Sequence, residues 1–147
     1  MSDKRRFKLG QSDLQLSMAD GGIKAGFAST AQDYIESGID LNKELIKNPS
    51  STFFGRVSGD SMVDAGIEDG DILVIDKSLD PKSGDIAICF LNGEFTLKKI
   101  ELKGDKILLI PANNKYKVIE VSKDEEFMIW GVVTYTIKNI LNRNKKR

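Results

Sequence analysis

Two apolar runs, Ile86-Ala87-Ile88-Cys89-Phe90-Leu91 and Phe95-Thr96-Leu97-Lys98-Lys99-Ile100, flank Asn92-Gly93. Asn-Gly between apolar runs is the strongest short signal of a β-hairpin, because both central residues of a type I′ turn need positive φ. A two-residue loop then sets the register: Leu91 opposes Glu94 and Ala87 opposes Lys98. A slip by one residue would turn every side chain to the other face. This register puts a small residue opposite Lys98, which leaves room for the lysine side chain to lie across the sheet.

From Thr52 onward the same strand-and-turn pattern continues. Phe53-Phe54 and Val57 precede a turn, and Asp69-Gly70 leads into the apolar run Ile72-Leu73-Val74-Ile75. Asp80-Pro81 and Ser83-Gly84-Asp85 mark loops. Further strands are expected over 106–110, 117–121 and 128–137, the last containing Trp130. Residues 30–47 look partly helical: Tyr34-Ile35, then Leu41, Leu45 and Ile46, fall at helical spacing. Gly38 would separate two short helices, Asp40 would cap the second, and Pro49 lies just beyond it. Residues 1–25 are polar and read as an irregular arm, and residues 138–147 are basic and read as a frayed end. The expected fold is mostly β, with several curved antiparallel sheets and short N-terminal helices. A chain of 147 residues suits one core.

Lys+Arg and Asp+Glu both number 22, so the formal net charge is zero. That balance argues against a protein bound to nucleic acid over its whole surface. A local contact through Lys4-Arg5-Arg6 or the basic tail stays open, beside the plainer reading of solvated termini. A single cysteine, Cys89, rules out an intrachain disulfide and fits a reducing, cytoplasmic setting. With no histidine to pair with a thiolate, Cys89 reads as a small apolar strand residue rather than a nucleophile or redox sensor. No stretch approaches the ~18 apolar residues of a membrane span, and no signal-peptide run follows the basic start, so no membrane contact is expected. Asp64, Glu68, Asp69 and Asp71 fail calcium-loop spacing and read as a solvated acidic turn. Zinc and phosphate-loop signatures are missing too, so neither a metal nor a cofactor is expected.

The missing histidine bears most on chemistry. It excludes a Ser-His-Asp triad, and leaves a neutral lysine as the proton acceptor for a serine nucleophile. Ser61 sits in the turn Gly59-Asp60-Ser61-Met62, which would hold its hydroxyl near a strand end with backbone N–H groups beside it. The Ser61 amide is the expected oxyanion donor. By itself, a turn serine reads first as a group that only satisfies local backbone, since serine is common in turns. A free lysine has a pKa of ~10.4, and burial can lower it by up to ~3–5 units. Phe95, Leu97 and Ile100 offer apolar surroundings, and Lys99, next along the strand, should face the opposite side and be solvated.

These residues resemble the LexA/UmuD group of self-cleaving Ser/Lys peptidases. The resemblance rests on Gly59-Asp60-Ser61-Met62, Phe95-Thr96-Leu97-Lys98 and Ala25-Gly26. It extends through Asp40-Leu41-Asn42, Leu45-Ile46, Asn48-Pro49, Asp69-Gly70-Asp71-Ile72 and Gly131-Val132-Val133, and so covers most of residues 26–138. The UmuD branch is the closer match, since 25 residues are too few for a repressor's winged helix domain. The resemblance implies Ser61 as nucleophile, Lys98 as general base and Ala25-Gly26 as the bond cut. It implies an arm, 1–25, removed by self-cleavage, a peptidase domain, 26–138, and a basic tail, 139–147. It further implies stimulation by RecA filaments on single-stranded DNA. The processed homodimer would then act as accessory subunit of a UmuC-type translesion polymerase in the SOS response. A LexA-like regulatory fragment or antirepressor, and a non-catalytic interaction module on the same fold, are the alternatives.

Overall fold

The computed structural model describes residues 16–20 and 35–141, with side chains from residue 38 onward. The chain divides into two compact units, 1–47 and 48–147.

In the first unit, β1 (Leu16–Asp20) pairs antiparallel with β2 (Ile35–Ile39), Leu16 opposite Ile39 and Asp20 opposite Ile35. α1 (Leu41–Leu45) follows, and its first turn is capped by Asp40, whose Oδ1 accepts from the Asn42 N–H at 3.0 Å. Two expectations are corrected here. The arm, read as irregular, contains β1, and the first of the two expected helices is β2. A ladder with β1 satisfies the backbone groups of this segment and suits the β-branched Ile35 and Ile39.

The second unit is strand-rich. β3 (Thr52–Arg56), β4 (Ile72–Asp76), β5 (Ile86–Leu91), β6 (Glu94–Lys103), β7 (Lys106–Ile110), β8 (Ile119–Val121) and β9 (Phe127–Ile137) form one antiparallel sheet. Its order is β3-β4-β9-β5-β6-β7-β8. β9 thus returns from the far edge to join the β3-β4 hairpin to the β5–β8 meander. Its ladders shift opposite Val74/Ile75 and opposite Ile88/Cys89, leaving Thr134 and Trp130 as extra residues. Such bulges bend a strand and sharpen its twist. Between them, Gly131 admits a close approach: a Cβ there would fall 2.6 Å from Ile75 Cγ2.

The β5-β6 hairpin has the expected register, Leu91 opposite Glu94 and Ala87 opposite Lys98. Asn92 (φ 51°) and Gly93 (φ 89°) supply the positive φ of its turn. Alternation along β5 separates two apolar clusters. Ile86 and Ile88 pack against Met62, Ile67, Leu73 and Ile75, while Ala87 and Cys89 join Ile100 and Leu109.

Buried charge locks the edges of this unit. Asp76 accepts from Asn48 Nδ2 (2.7 Å), Ser51 Oγ (3.1 Å), Ser78 N (2.8 Å) and Ser78 Oγ (2.7 Å). Asp71 overturns the reading of a solvated acidic turn, being only 2% exposed. It accepts from the Glu68 N–H (2.9 Å), Thr136 Oγ1 (3.3 Å) and Lys138 Nζ (2.6 Å). Lys138 is correspondingly anchored, not frayed. A buried carboxylate needs partners, and β9 delivers a cation to it.

Candidate active site

Ser61 follows the end of β3 in a turn that leads into a short 3₁₀ segment, Val63–Ala65. The turn is pinned from below by Met62, 2% exposed in the core. Gly59, at φ 102°, makes the backbone bend that an L side chain would resist, and its N–H donates to Asp69 Oδ1 at 2.8 Å.

Lys98 reaches the same point from β6. Its Nζ lies 3.4 Å from Ser61 Oγ, 2.7 Å from Thr96 Oγ1 and 3.1 Å from the Leu97 carbonyl oxygen. Lys98 is 8% exposed, and Lys99 is exposed, as strand alternation predicts. Burial holds the Lys98 pKa below the ordinary lysine value, with the nearby Cys89 acting in the opposite direction. Of the apolar neighbours expected from sequence, Ile100 is fully buried, whereas Phe95 is 60% exposed on the outer wall. Ala87 and Cys89, both fully buried on the strand opposite, complete the dry floor. Burial pushes the Cys89 thiol up to about 11, so it is an inert wall residue.

Ser61 and Thr96 open onto a cleft of about 280 Å³, walled by Val57, Met62, Ile88 and Leu97, with Phe95 and Arg56 at its rim. Behind Phe95 stand Phe90 and Trp130, edge-on at 5.4 and 5.8 Å between ring centroids. Lys77 Nζ caps the Trp130 ring at 4.6 Å. Ala25 and Gly26 lie outside the described residues. Among the described residues, no three acidic or cysteine side chains are gathered as metal ligands would be.

Two sets of site residues escaped the sequence reading. Thr96 was legible in principle, since it shares a strand face with Lys98 at period two. The loop after β7 was not. Its Ala112 N–H donates to the Ser61 carbonyl (2.8 Å), its Ala112 carbonyl accepts from Asp64 N–H (2.7 Å), and Tyr116 Oη donates to Asp60 Oδ1 (2.6 Å). The Tyr116 hydroxyl, above all, holds the Asp60 carboxyl below its ordinary value, helped by Lys115 at 3.6 Å.

Comparison with known proteins shows the family. The Peptidase S24-like family matches residues 17–134. Protein SamA of Salmonella typhimurium strain LT2 is 46% identical over 110 residues, 75% of this chain and 76% of its own length. Protein MucA of Salmonella typhimurium is 41% identical over 116 residues, 78% of this chain and 79% of its own. Protein ImpA of the same organism is 42% identical over 114 residues, 78% and 77% of the two chains. The chain belongs to the Peptidase S24-like family, the family to which its LexA/UmuD-like residues point.

Proposed function

We propose that this chain is a UmuD-type serine peptidase that cuts itself between Ala25 and Gly26. The observation that carries the reading is the contact between the Ser61 hydroxyl and the buried Lys98 amine, 3.4 Å apart at the foot of an apolar cleft. In the proposed reaction neutral Lys98 takes the Ser61 proton as Oγ attacks the Ala25 carbonyl carbon. The Ser61 amide stabilises the developing oxyanion. Lys98 returns the proton to the Gly26 nitrogen as the peptide bond breaks. Water, deprotonated by Lys98, then attacks the Ala25–Ser61 ester and restores the free hydroxyl. Small residues at the bond suit a narrow cleft, because the substrate backbone must come close to Oγ. Tethering offers effective molarities of ~10⁵–10⁸ M, so a weak dyad suffices for one cut per chain.

Family membership and the likeness to SamA, MucA and ImpA support the biological setting. In that setting a RecA filament on single-stranded DNA favours the docked arm. Residues 26–138 form the working domain, with 139–147 as a basic tail. The processed homodimer serves a UmuC-type translesion polymerase in SOS mutagenesis. A cytoplasmic location accords with the free thiol of Cys89.

The test is intact mass after incubation at pH 7 and pH 10, for the chain and for Ser61→Ala and Lys98→Ala. A 26–147 fragment that forms faster at pH 10 and in neither variant is the expected result. A chain left whole at both pH values, and again with RecA, single-stranded DNA and nucleotide, would leave only an interaction module.

A further inference from the structure

We infer that Asn113 is a positioning residue that aims the oxyanion-binding amide of Ser61, an inference that rests on the peptidase reading above. Asn113 lies in the loop after β7 and is 8% exposed. Its Nδ2 donates to the Asp60 carbonyl oxygen at 2.8 Å, and its Oδ1 accepts from the Lys115 N–H at 3.0 Å. Both ends of the side-chain amide are therefore fixed, one by its own loop and one by the nucleophile turn.

The Asp60 carbonyl belongs to the same peptide unit as the Ser61 N–H. That unit is planar, and among the described residues every peptide is trans. In a trans unit the C=O and N–H point in opposite directions. Fixing the Asp60 oxygen on Asn113 therefore fixes the direction of the Ser61 N–H. Among the described residues no hydrogen bond takes up that N–H, and Gly59 and Ser61 both line the cleft. The hydrogen bond at Asp60 also polarises the peptide unit, which makes the N–H a better donor. Without Asn113 the Asp60 oxygen keeps only a long bond from the Val63 N–H at 3.3 Å, and the plane is free to rock. The Ala112 bracket still holds the Ser61 carbonyl, on the next peptide unit, so the turn itself stays in place.

Asn113 thus acts on the oxyanion, not on the proton transfer. The experiment follows self-cleavage of the full chain from pH 7 to 10.5 for the wild type, Ser61→Ala, Asn113→Ala and Asn113→Asp, each with a thermal unfolding curve. Asn113→Asp keeps the volume and the acceptor for Lys115 while losing the donor, which guards against a variant that simply fails to fold. Both Asn113 variants should cut about tenfold or more slowly, short of the ~10²–10³ lost when an oxyanion donor is deleted outright. In Asn113→Ala the midpoint of the pH–rate curve should stay at its wild-type value, because Ser61 and Lys98 still meet. Wild-type rates in both variants would overturn the assignment, and so would a slowed Asn113→Ala whose midpoint moves or whose rate loss merely follows its unfolding. A wild type that never cuts, or a Ser61→Ala that cuts as well as wild type, would instead sink the peptidase reading, and the assignment with it.

Discussion

Lys98 Nζ is 3.4 Å from Ser61 Oγ but 2.7 Å from Thr96 Oγ1. A neutral amine has two N–H groups and one lone pair, whereas an ammonium has three donors and no acceptor. Thr96 Oγ1 and the Leu97 carbonyl take two hydrogens, which leaves the third position of Nζ toward Ser61. In the neutral form that position is the lone pair, aimed at the proton it would remove.

Self-cleavage should therefore rise with pH, by about tenfold per unit below the folded pKa of Lys98, and level off above it. Burial sets that plateau below the pH expected for an ordinary lysine. The same burial costs stability. Between the depressed folded pKa and the unfolded value the unfolded chain binds more protons, so stability rises with pH across that window. Lys98→Met should accordingly melt higher than wild type at pH 7, by about 1 kcal/mol or more. The gap should close toward pH 10.5. A Lys98→Met chain less stable than wild type at pH 7 would contradict the claim that the amine is held at a cost.

Asp76 should govern acid stability. Its carboxyl is held down to about 2 by Asn48 first, then Ser78 and Ser51, against burial. A folded pKa below the unfolded value of 3.8 adds stability that is complete above pH 4 and lost as pH falls through about 2. Asp76→Ala should lose about 1.5–3 kcal/mol at pH 7, the range for hydrogen bonds to a charged group. Urea unfolding at pH 7 and pH 2 checks this, since the difference from wild type should shrink at the lower pH.

The features legible in the sequence were those whose causes are local. Asn92-Gly93 dictated its own turn, and the turn dictated that Ala87 opposes Lys98. Alternation then told Lys98 from Lys99. What escaped depended on partners far along the chain. Asn113 is 53 residues from Asp60, and nothing around Asn113 announces the carbonyl it holds. Asp71 looked solvated because its acidic neighbours are adjacent, while its cation, Lys138, is 67 residues away. β2 was misread for a related reason. Ile35 fits either period, and only pairing with β1, inside a segment that composition marks as polar, decides between them.

Cys89 should be silent until the domain opens. It is fully buried and its thiol is pushed from 9.0 up to about 11. Two units cut the thiolate fraction near pH 8 by about a hundredfold, before access is considered. A disulfide reagent at pH 8 should label no native protein over hours and one thiol per chain in denaturant. Prompt labelling of the native chain would mean that the floor beneath Lys98 opens readily, against the burial of both side chains.

Lys138 tests whether the end of β9 matters to the site's frame. The Val57 N–H donates to the Asp71 carbonyl (2.8 Å), and Asp71 carries the charge that Lys138 meets at 2.6 Å. Asp71 stays ionised despite burial because the Glu68 N–H, Lys138 and Thr136 outweigh its desolvation. Lys138→Ala leaves the carboxylate with two weaker donors and no cation. Because Lys138 is about one-third exposed, water restores part of the loss, and the cost should fall short of the full penalty of an orphaned buried charge. The contact of Lys138 with the half-exposed Glu68, 3.5 Å, adds little, so Glu68→Gln should be nearly neutral. Asp71→Asn combined with Lys138→Ala should cost less than the sum of the two single changes, as expected for groups that stabilise each other. Strict additivity in that cycle would show the pair to be incidental. Self-cleavage in Lys138→Ala should stay close to wild type wherever the domain is folded, since the hydrogen bonds of Lys138 and the Asp71 carboxylate do not involve Ser61 or Lys98.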